Sequence, residues 1–196
     1  MSASEDGTTD AQLVAVSRAG DIEAFQELVL RYQRRLFGLC YRLLGRYHDA
    51  EDACQEAFLR AYRALDRYDP SRPFDRWLLA IAANSAVSML RRRRSIRTEP
   101  EMIEADDITQ TTQMASAADQ AEARELGEAV ARAITGLADH YRIPFVLFHQ
   151  EEMSYEEISR ALALPLGTVK SRVHRARERL YQELSRAGFL EREDRR

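Results

Sequence analysis

Residues 154–180 constrain the fold of this chain more tightly than any other stretch. In Ser154-Tyr155-Glu156-Glu157 a hydroxyl stands three residues ahead of a carboxylate. Ser154 can therefore accept from the Glu157 amide while the Glu157 carboxylate reaches back to the cap, which starts a helix through Ile158, Ala161 and Leu162. Leu164-Pro165-Leu166-Gly167 makes a tight turn, and Thr168 is the expected cap of a second helix, with Val169, Val173, Ala176 and Leu180 facing inward. Two short helices joined by such a turn form a helix-turn-helix.

The rest of the chain is also patterned as helix. Only 8 Gly and 5 Pro interrupt 196 residues, and 45% hydrophobic with 31% charged residues fits a globular, helix-rich protein. After Gly20, Asp21 can cap a long amphipathic helix carrying Phe25, Leu28, Val29, Tyr32, Leu36, Leu39, Cys40, Leu43 and Leu44, which ends near Gly45. Asp49, with Asp52 three residues on, is the expected start of a second helix whose stripe is Ala53, Ala57, Phe58, Ala61, Tyr62 and Leu65. Asp69-Pro70-Ser71-Arg72-Pro73 stops it, because proline removes an amide donor and biases the residue before it away from helical angles. A third helix is predicted from Phe74 to Met89, running into Arg91 to Arg94 and then Arg97.

From Thr98 to Ala121 there are six acidic residues (Glu99, Glu101, Glu104, Asp106, Asp107 and Asp119), no basic one and little apolar periodicity, which predicts a flexible acidic linker. Beyond it Leu126, Val130, Ile134 and Leu137 mark one helix. Ile143, Val146, Leu147 and Phe148 mark another, with Pro144 near its first turn. The expected fold is all-α: two small helical domains joined by an acidic flexible linker, the C-terminal one a helix-turn-helix. The expected boundaries are a flexible N-terminus over 1–18, a domain over 19–97, the linker over 98–121, a domain over 122–190 and a tail over 191–196.

No apolar run approaches the roughly 18 residues that span a bilayer, and Met1 to Asp10 is polar and acidic, so a cytoplasmic protein without membrane insertion is expected. Cys40 and Cys54 lack metal or redox spacing and read as small buried hydrophobes. The net charge of -3 hides clustered basic groups that are almost all arginine, Lys170 being the sole lysine. Arginine is the better residue for bidentate phosphate and base contacts.

Three faces invite function. The second helix of the helix-turn-helix carries Lys170, Ser171, Arg172, His174, Arg175, Arg177 and Arg179 on its outward side, the chemistry of a recognition helix in a major groove. Thr168, Lys170, Ser171 and Arg172, at its start, are the expected base readers, and the later arginines hold phosphate. Asp49, Glu51, Asp52, Gln55 and Glu56 form an acidic, amide-bearing face suited to a basic partner, although a solvated surface or a helix-dipole effect would also explain it. Tyr68, Phe74, Asp75, Arg76, Trp77, Asn84, Ser85 and Ser88 lie before or among arginines, the chemistry of single-stranded DNA, while Phe74 and Trp77 also suit a core.

Asp49-Ala50-Glu51-Asp52, Gln55-Glu56-Ala57-Phe58, Trp77 to Asn84, Ser154-Tyr155-Glu156-Glu157-Ile158 and Gly167-Thr168-Val169-Lys170-Ser171-Arg172, in that order, resemble the extracytoplasmic-function class of sigma factors in the sigma-70 family, over Gly20 to Ala187. The resemblance implies a transcription initiation factor of stress responses, with sigma region 2 over 19–97 and region 4 over 122–190. It implies that Asp49, Glu51, Asp52, Gln55 and Glu56 dock on the coiled-coil clamp helices of the polymerase largest subunit (β′), the β subunit being a further partner. It implies that Tyr68, Asp69, Ser71, Arg72, Phe74, Trp77, Asn84, Ser88, Arg91 and Arg92 hold the melted -10 element. Thr168, Lys170, Ser171, Arg172, His174 and Arg175 would read the -35 element. The linker would thread toward the active centre, an anti-sigma factor would hold the chain inactive, and no catalysis, cofactor or metal is involved. The Pro70-Ser71-Arg72-Pro73 loop departs from many relatives.

Two other classes compete. A repressor or activator would use the same helix-turn-helix but needs a pocket-forming first domain. A metal-dependent nuclease would use Asp49, Glu51, Asp52 and Glu56 as ligands and needs a second ligand cluster.

Overall fold

The computed structural model describes residues 8–96 and 117–189. Among them every regular element is helical and no strand forms. The order is α1 (Asp10–Arg18), α2 (Ile22–Leu44), α3 (Tyr47–Ala64), a 3-10 turn (Leu65–Arg67), α4 (Phe74–Ile96), α5 (Ala117–Thr135), α6 (Asp139–His149), α7 (Tyr155–Leu162) and α8 (Leu166–Arg186). The first four helices belong to one compact unit and the last four to another. The all-α, two-unit architecture expected from the pattern is the one observed.

In the first unit α2 packs along α1 and α4. Its Leu28, Leu36, Leu39, Cys40 and Leu43 are fully buried, together with Leu78 of α4. Each such leucine contributes roughly 1.5–3 kcal/mol relative to exposure, so this stripe outweighs any single polar contact. Ala50, Ala53, Ala57 and Ala61 of α3 and Ala82, Ala83 and Ala86 of α4 are buried as well, small side chains that let helix backbones approach closely. Asp21 caps α2 as expected, its carboxylate accepting from the amides of Glu23 (2.8 Å) and Ala24 (3.1 Å). Gly20 just before it has φ +100°, a conformation that turns the chain from α1 into α2 and that side chains resist.

Two expectations for this unit are corrected. Residues 9–18 are part of the fold: Thr9 and Gln12 form a capping box, and α1 buries Leu13 and Val14 against α2. The helix is short and only weakly amphipathic, so periodicity did not reveal it. Asp49 is not the cap of α3, because Gly45 (φ 70°) ends α2 and the next helix already begins at Tyr47. As expected, α4 continues through the arginine run.

Residues 97–116, which hold most of the expected acidic linker, lie outside the described residues, as do 1–7 and 190–196. The expected linker reaches Ala121, whereas α5 begins at Ala117.

In the second unit α5, α6 and α7 all pack on α8. Val169, Val173, Ala176 and Leu180 of α8 are buried, the inward stripe expected, beside Val146, Leu147 and Ile158. Leu126 is exposed, and Ala129, Ile134 and Leu137 cover the core instead. Pro144 sits in the second turn of α6, which starts at Asp139 rather than beside the proline. Its ring forgoes the bond an amide would donate one turn back.

Cys40 and Cys54 are free and buried, as expected. Burial pushes the Cys40 thiol up to about 12, with the neighbouring Cys54 adding to the effect, and pushes Cys54 up to about 11. No helix among the described residues is long and apolar enough to cross a membrane.

Candidate functional site

Three surfaces collect the residues singled out by the sequence. On α3, Ala50, Ala53, Ala57 and Ala61 bury one face, which turns Glu51, Asp52 and Gln55 to solvent. Glu56 accepts from Arg60 one turn on (2.7 Å), and that bond, with the charges of Arg60, Arg63 and Arg92, holds its carboxyl below the ordinary range. Asp49 is turned elsewhere: its carboxylate meets Arg93 of α4 at 2.7 Å. The five expected docking residues thus share one helix, but two are engaged within the unit, Asp49 by Arg93 of α4 and Glu56 by Arg60 of its own helix. Among the described residues no group of three His, Cys, Asp or Glu side chains converges as metal ligands would.

The second surface is the loop between the 3-10 turn and α4, with the outer face of α4. Tyr68 and Phe74 are only 6% and 4% exposed. With Tyr32 and Trp77 they form an aromatic cluster, ring centroids 5.1–5.7 Å apart. The two buried rings form a wall behind the loop, whereas the expected single-strand set counted them among its contacts. Tyr68 also ties the loop down, its hydroxyl donating to the Arg72 carbonyl, while Arg18 donates to the carbonyls of Leu65 and Tyr68. Asp69 accepts from the Ser71 amide (3.0 Å) and pairs with Arg72 (3.5 Å); the contacts with Ser71 draw its carboxyl down most. Asp69, Ser71 and Arg72 therefore stand out to solvent on a braced loop.

Along α4, residues separated by three or four share a side. Trp77, Asn84, Ser88, Arg91 and Arg92 fall on one such stripe, opposite the buried Leu78, Leu79, Ala82, Ala83 and Ala86. Trp77 and Ser88 are half-buried, and Asn84, Arg91 and Arg92 exposed. One helix face thus offers a ring, an amide, a hydroxyl and two guanidinium groups in line. Arg93 points to the packed side, which spacing alone left unassigned.

The third surface is α8. Ser154 and Glu157 form the expected capping box of α7, with the Ser154 amide 2.7 Å from the Glu157 carboxylate. Ala163 closes α7 in the left-handed conformation (φ 51°, ψ 46°), and the Leu164 amide donates back to the Ser159 carbonyl (3.0 Å). Pro165 then occupies the N-cap position of α8 without a side-chain cap bond. Thr168 lies inside the first turn, not at the cap, because the proline's fixed φ already suits helix entry. Lys170, Ser171, His174 and Arg175 are exposed, Thr168 and Arg172 half-buried on the flank. His174 lies 3.5 Å from Glu178.

The two later arginines lean on their own unit. Arg177 donates from Nε to His149 Nε2 (2.8 Å) and lies over Phe148, and the Arg179 guanidinium stands 4.6 Å from the Tyr141 ring centre. Burial and the Arg177 charge hold His149 below its usual value. Phe148 stacks on Tyr155 (4.3 Å, 12°), and Lys170 lies over Tyr155 at 5.7 Å, so an aromatic pair braces two cations of α8. Behind them Arg142, 3% exposed, donates to the carbonyls of Thr135 (2.9 Å) and Leu137 (3.2 Å) and pairs with Asp139 (2.6 Å), fixing the α5–α6 corner. The aromatic brace has no local signature, since its partners come from different helices, and the only local sign of Arg142 is its i,i+3 pairing with Asp139.

Comparison with known proteins agrees with this geometry. The Sigma-70 region 2 family model matches residues 28–96, and the Sigma-70, region 4 model matches 127–180. The ECF RNA polymerase sigma factor SigW of Bacillus subtilis is 37% identical over 172 residues, 85% of this chain and 92% of the relative. The ECF RNA polymerase sigma-E factor of Escherichia coli K12 is 36% identical over 175 residues, 87% and 91%. Among solved structures, CnrH in complex with the cytosolic domain of CnrY superposes with a TM-score of 0.63 at 28% identity, covering 90% of this chain and 97% of that one. The sigma factor RpoE bound to the anti-sigma factor NepR from Bartonella quintana also scores 0.63, at 25% identity and 82% and 96% coverage.

Proposed function

This chain belongs to the extracytoplasmic-function class of RNA polymerase sigma factors, transcription regulators and not enzymes, and from that premise we propose that it opens promoters with its first unit and reads the -35 element with α8. The observation that carries the reading is the stripe on α4. An aromatic ring, an amide, a hydroxyl and two arginines in line above a braced loop suit an unpaired strand, whose bases stack and whose phosphates need cations.

Glu51, Asp52, Gln55 and Glu56 supply the acidic face that docks on basic helices of the polymerase clamp. Asp69, Ser71 and Arg72 on the loop, with Trp77 and Asn84, receive bases of the -10 strand. Tyr68 and Phe74 act behind them as the rigid wall of the pocket. Stacking is worth about 1–3 kcal/mol per base, and unpairing costs a few kcal/mol, so one or two trapped bases roughly offset opening. The free chain then binds DNA weakly and the holoenzyme tightly.

On α8, Ser171, His174 and Arg175 face away from the core and enter the major groove, flanked by Thr168, Lys170 and Arg172. Arg177 and Arg179, held on aromatic rings, serve the phosphates. The solved relatives are complexes with partners named as anti-sigma NepR and the cytosolic domain of CnrY. By the same logic this chain is held inactive by an anti-sigma protein that covers the docking and DNA faces. The expected acidic linker, most of it outside the described residues, belongs to the same proposal as the segment threading toward the active centre.

The test is reconstituted transcription: core polymerase with and without the chain, on genomic promoter fragments, with sequencing of the RNA. Protein-dependent start sites sharing upstream elements are expected. Asp52→Arg should abolish core binding without unfolding the chain; normal holoenzyme assembly by this variant would sink the docking assignment.

A further inference from the structure

The sequence groups Asp49 with the docking acids, yet its carboxylate is spent on Arg93, both side chains being about three-quarters covered. This joins the first turn of α3 to the last turns of α4. The place matters because α4 ends in four consecutive arginines. A helix C-terminus favours cations, but neighbouring guanidinium groups repel, and terminal turns fray. Arg93 turns inward, and Arg91 and Arg92, immediately before it, stand on the strand-facing stripe. The Asp49–Arg93 contact brings the arginine end of α4 against the first turn of α3.

We propose that Asp49 is a positioning residue for promoter opening: by clamping Arg93 it holds the last turns of α4 helical and fixes Arg91 and Arg92 where the phosphates of the melted strand pass. This rests on the sigma reading above. It separates Asp49, held by a different helix, from the exposed Glu51, Asp52 and Gln55 and from Glu56, which pairs only along its own helix with Arg60. The pair also ties the polymerase-docking helix to the strand-binding helix, so the two functions share one rigid reference.

The experiment uses holoenzyme at saturating concentrations of chain, so that docking does not limit the signal. It follows opening of a promoter found by reconstituted transcription, with a fluorescent base analogue in the -10 element. Asp49→Asn and Arg93→Gln should each lower the opened fraction about fivefold, and the double variant should lower it no further, since both remove one interaction. Asp49→Glu should restore opening. The slope of opening against salt should also fall by about 0.7–1.4, for one or two single-strand phosphates released by Arg91 and Arg92. A mere loss of folded protein would scale the signal and leave the slope alone.

Additive effects of the two substitutions, or an unchanged salt slope, would overturn the proposal, as would loss of core binding by Asp49→Asn equal to that of Asp52→Arg. If the wild-type chain neither binds core nor opens any promoter, the sigma reading itself falls. If wild type opens promoters and Asp49→Asn opens them equally, only the positioning role falls.

Discussion

Replacing Arg142 by leucine should cost the second unit about 3 kcal/mol. The guanidinium satisfies the Thr135 carbonyl at the end of α5, the Leu137 carbonyl in the following turn, and the Asp139 carboxylate, which begins α6. Removing one member of a buried ion pair costs roughly 3–5 kcal/mol, because the other charge is left without compensation. Asp139 keeps a side-chain exposure of 20%, so water recovers part of that loss, and the lower end of the range applies. Leucine retains the apolar volume, which limits the cavity contribution. The assay is urea unfolding of the full chain followed by two probes. Circular dichroism reports both units, whereas the single tryptophan, Trp77, lies in the first. The C-terminal transition should move to lower urea while the tryptophan transition stays in place. A loss below about 1 kcal/mol would refute the assignment of Arg142 as the corner's keystone.

Three further outcomes follow from the second unit. Ala163→Gly should raise its stability by about 0.5 kcal/mol in the same urea assay, the relief of a left-handed alanine exceeding the entropy glycine adds to the unfolded chain; a decrease would refute the strain. Tyr155→Leu should weaken binding of a -35 duplex by about threefold with little effect on folding, because a cation–ring contact of about 0.5–1 kcal/mol that holds Lys170 in place is lost; unchanged affinity in a fluorescence titration would count against the brace. His149 has its folded value depressed below 6.5, so the folded state binds fewer protons than the unfolded one. Its contribution is present above pH 6.5 and is lost on acidification through the depressed value. Thermal unfolding compared above and below that pH should show the slope in wild type and a smaller one in His149→Gln.

Where pattern sufficed, it did so because the cause was local. The Ser154–Glu157 box, the Asp21 cap and the α8 stripe all depend on residues within a few positions of one another, and each stands as read. Thr9 and Gln12 carry the same kind of capping signal for α1, but without a strong apolar stripe behind it the signal has little weight. Misplaced starts came from glycine and proline: Gly45 frees the chain to begin α3 two residues before Asp49, and Pro165 opens α8 before Thr168. Other features arise only when distant segments meet. Nothing near Asp49 announces Arg93, forty-four positions on, and nothing near Tyr68 or Phe74 states that they wall a loop. The three functional faces were legible as charge and spacing. The division of labour inside each, outward groups against groups that hold them, required the fold.

The two cysteines bear on how such a chain receives a signal. Burial raises both thiols, so little thiolate forms at neutral pH, and it is the thiolate that attacks peroxides and disulfides. The helical core therefore keeps its own sulfur chemistry silent. Buried and little ionised, Cys40 and Cys54 are poorly placed to meet an oxidant, and they leave the surface free for a reporter thiol to be introduced and labelled against a low background.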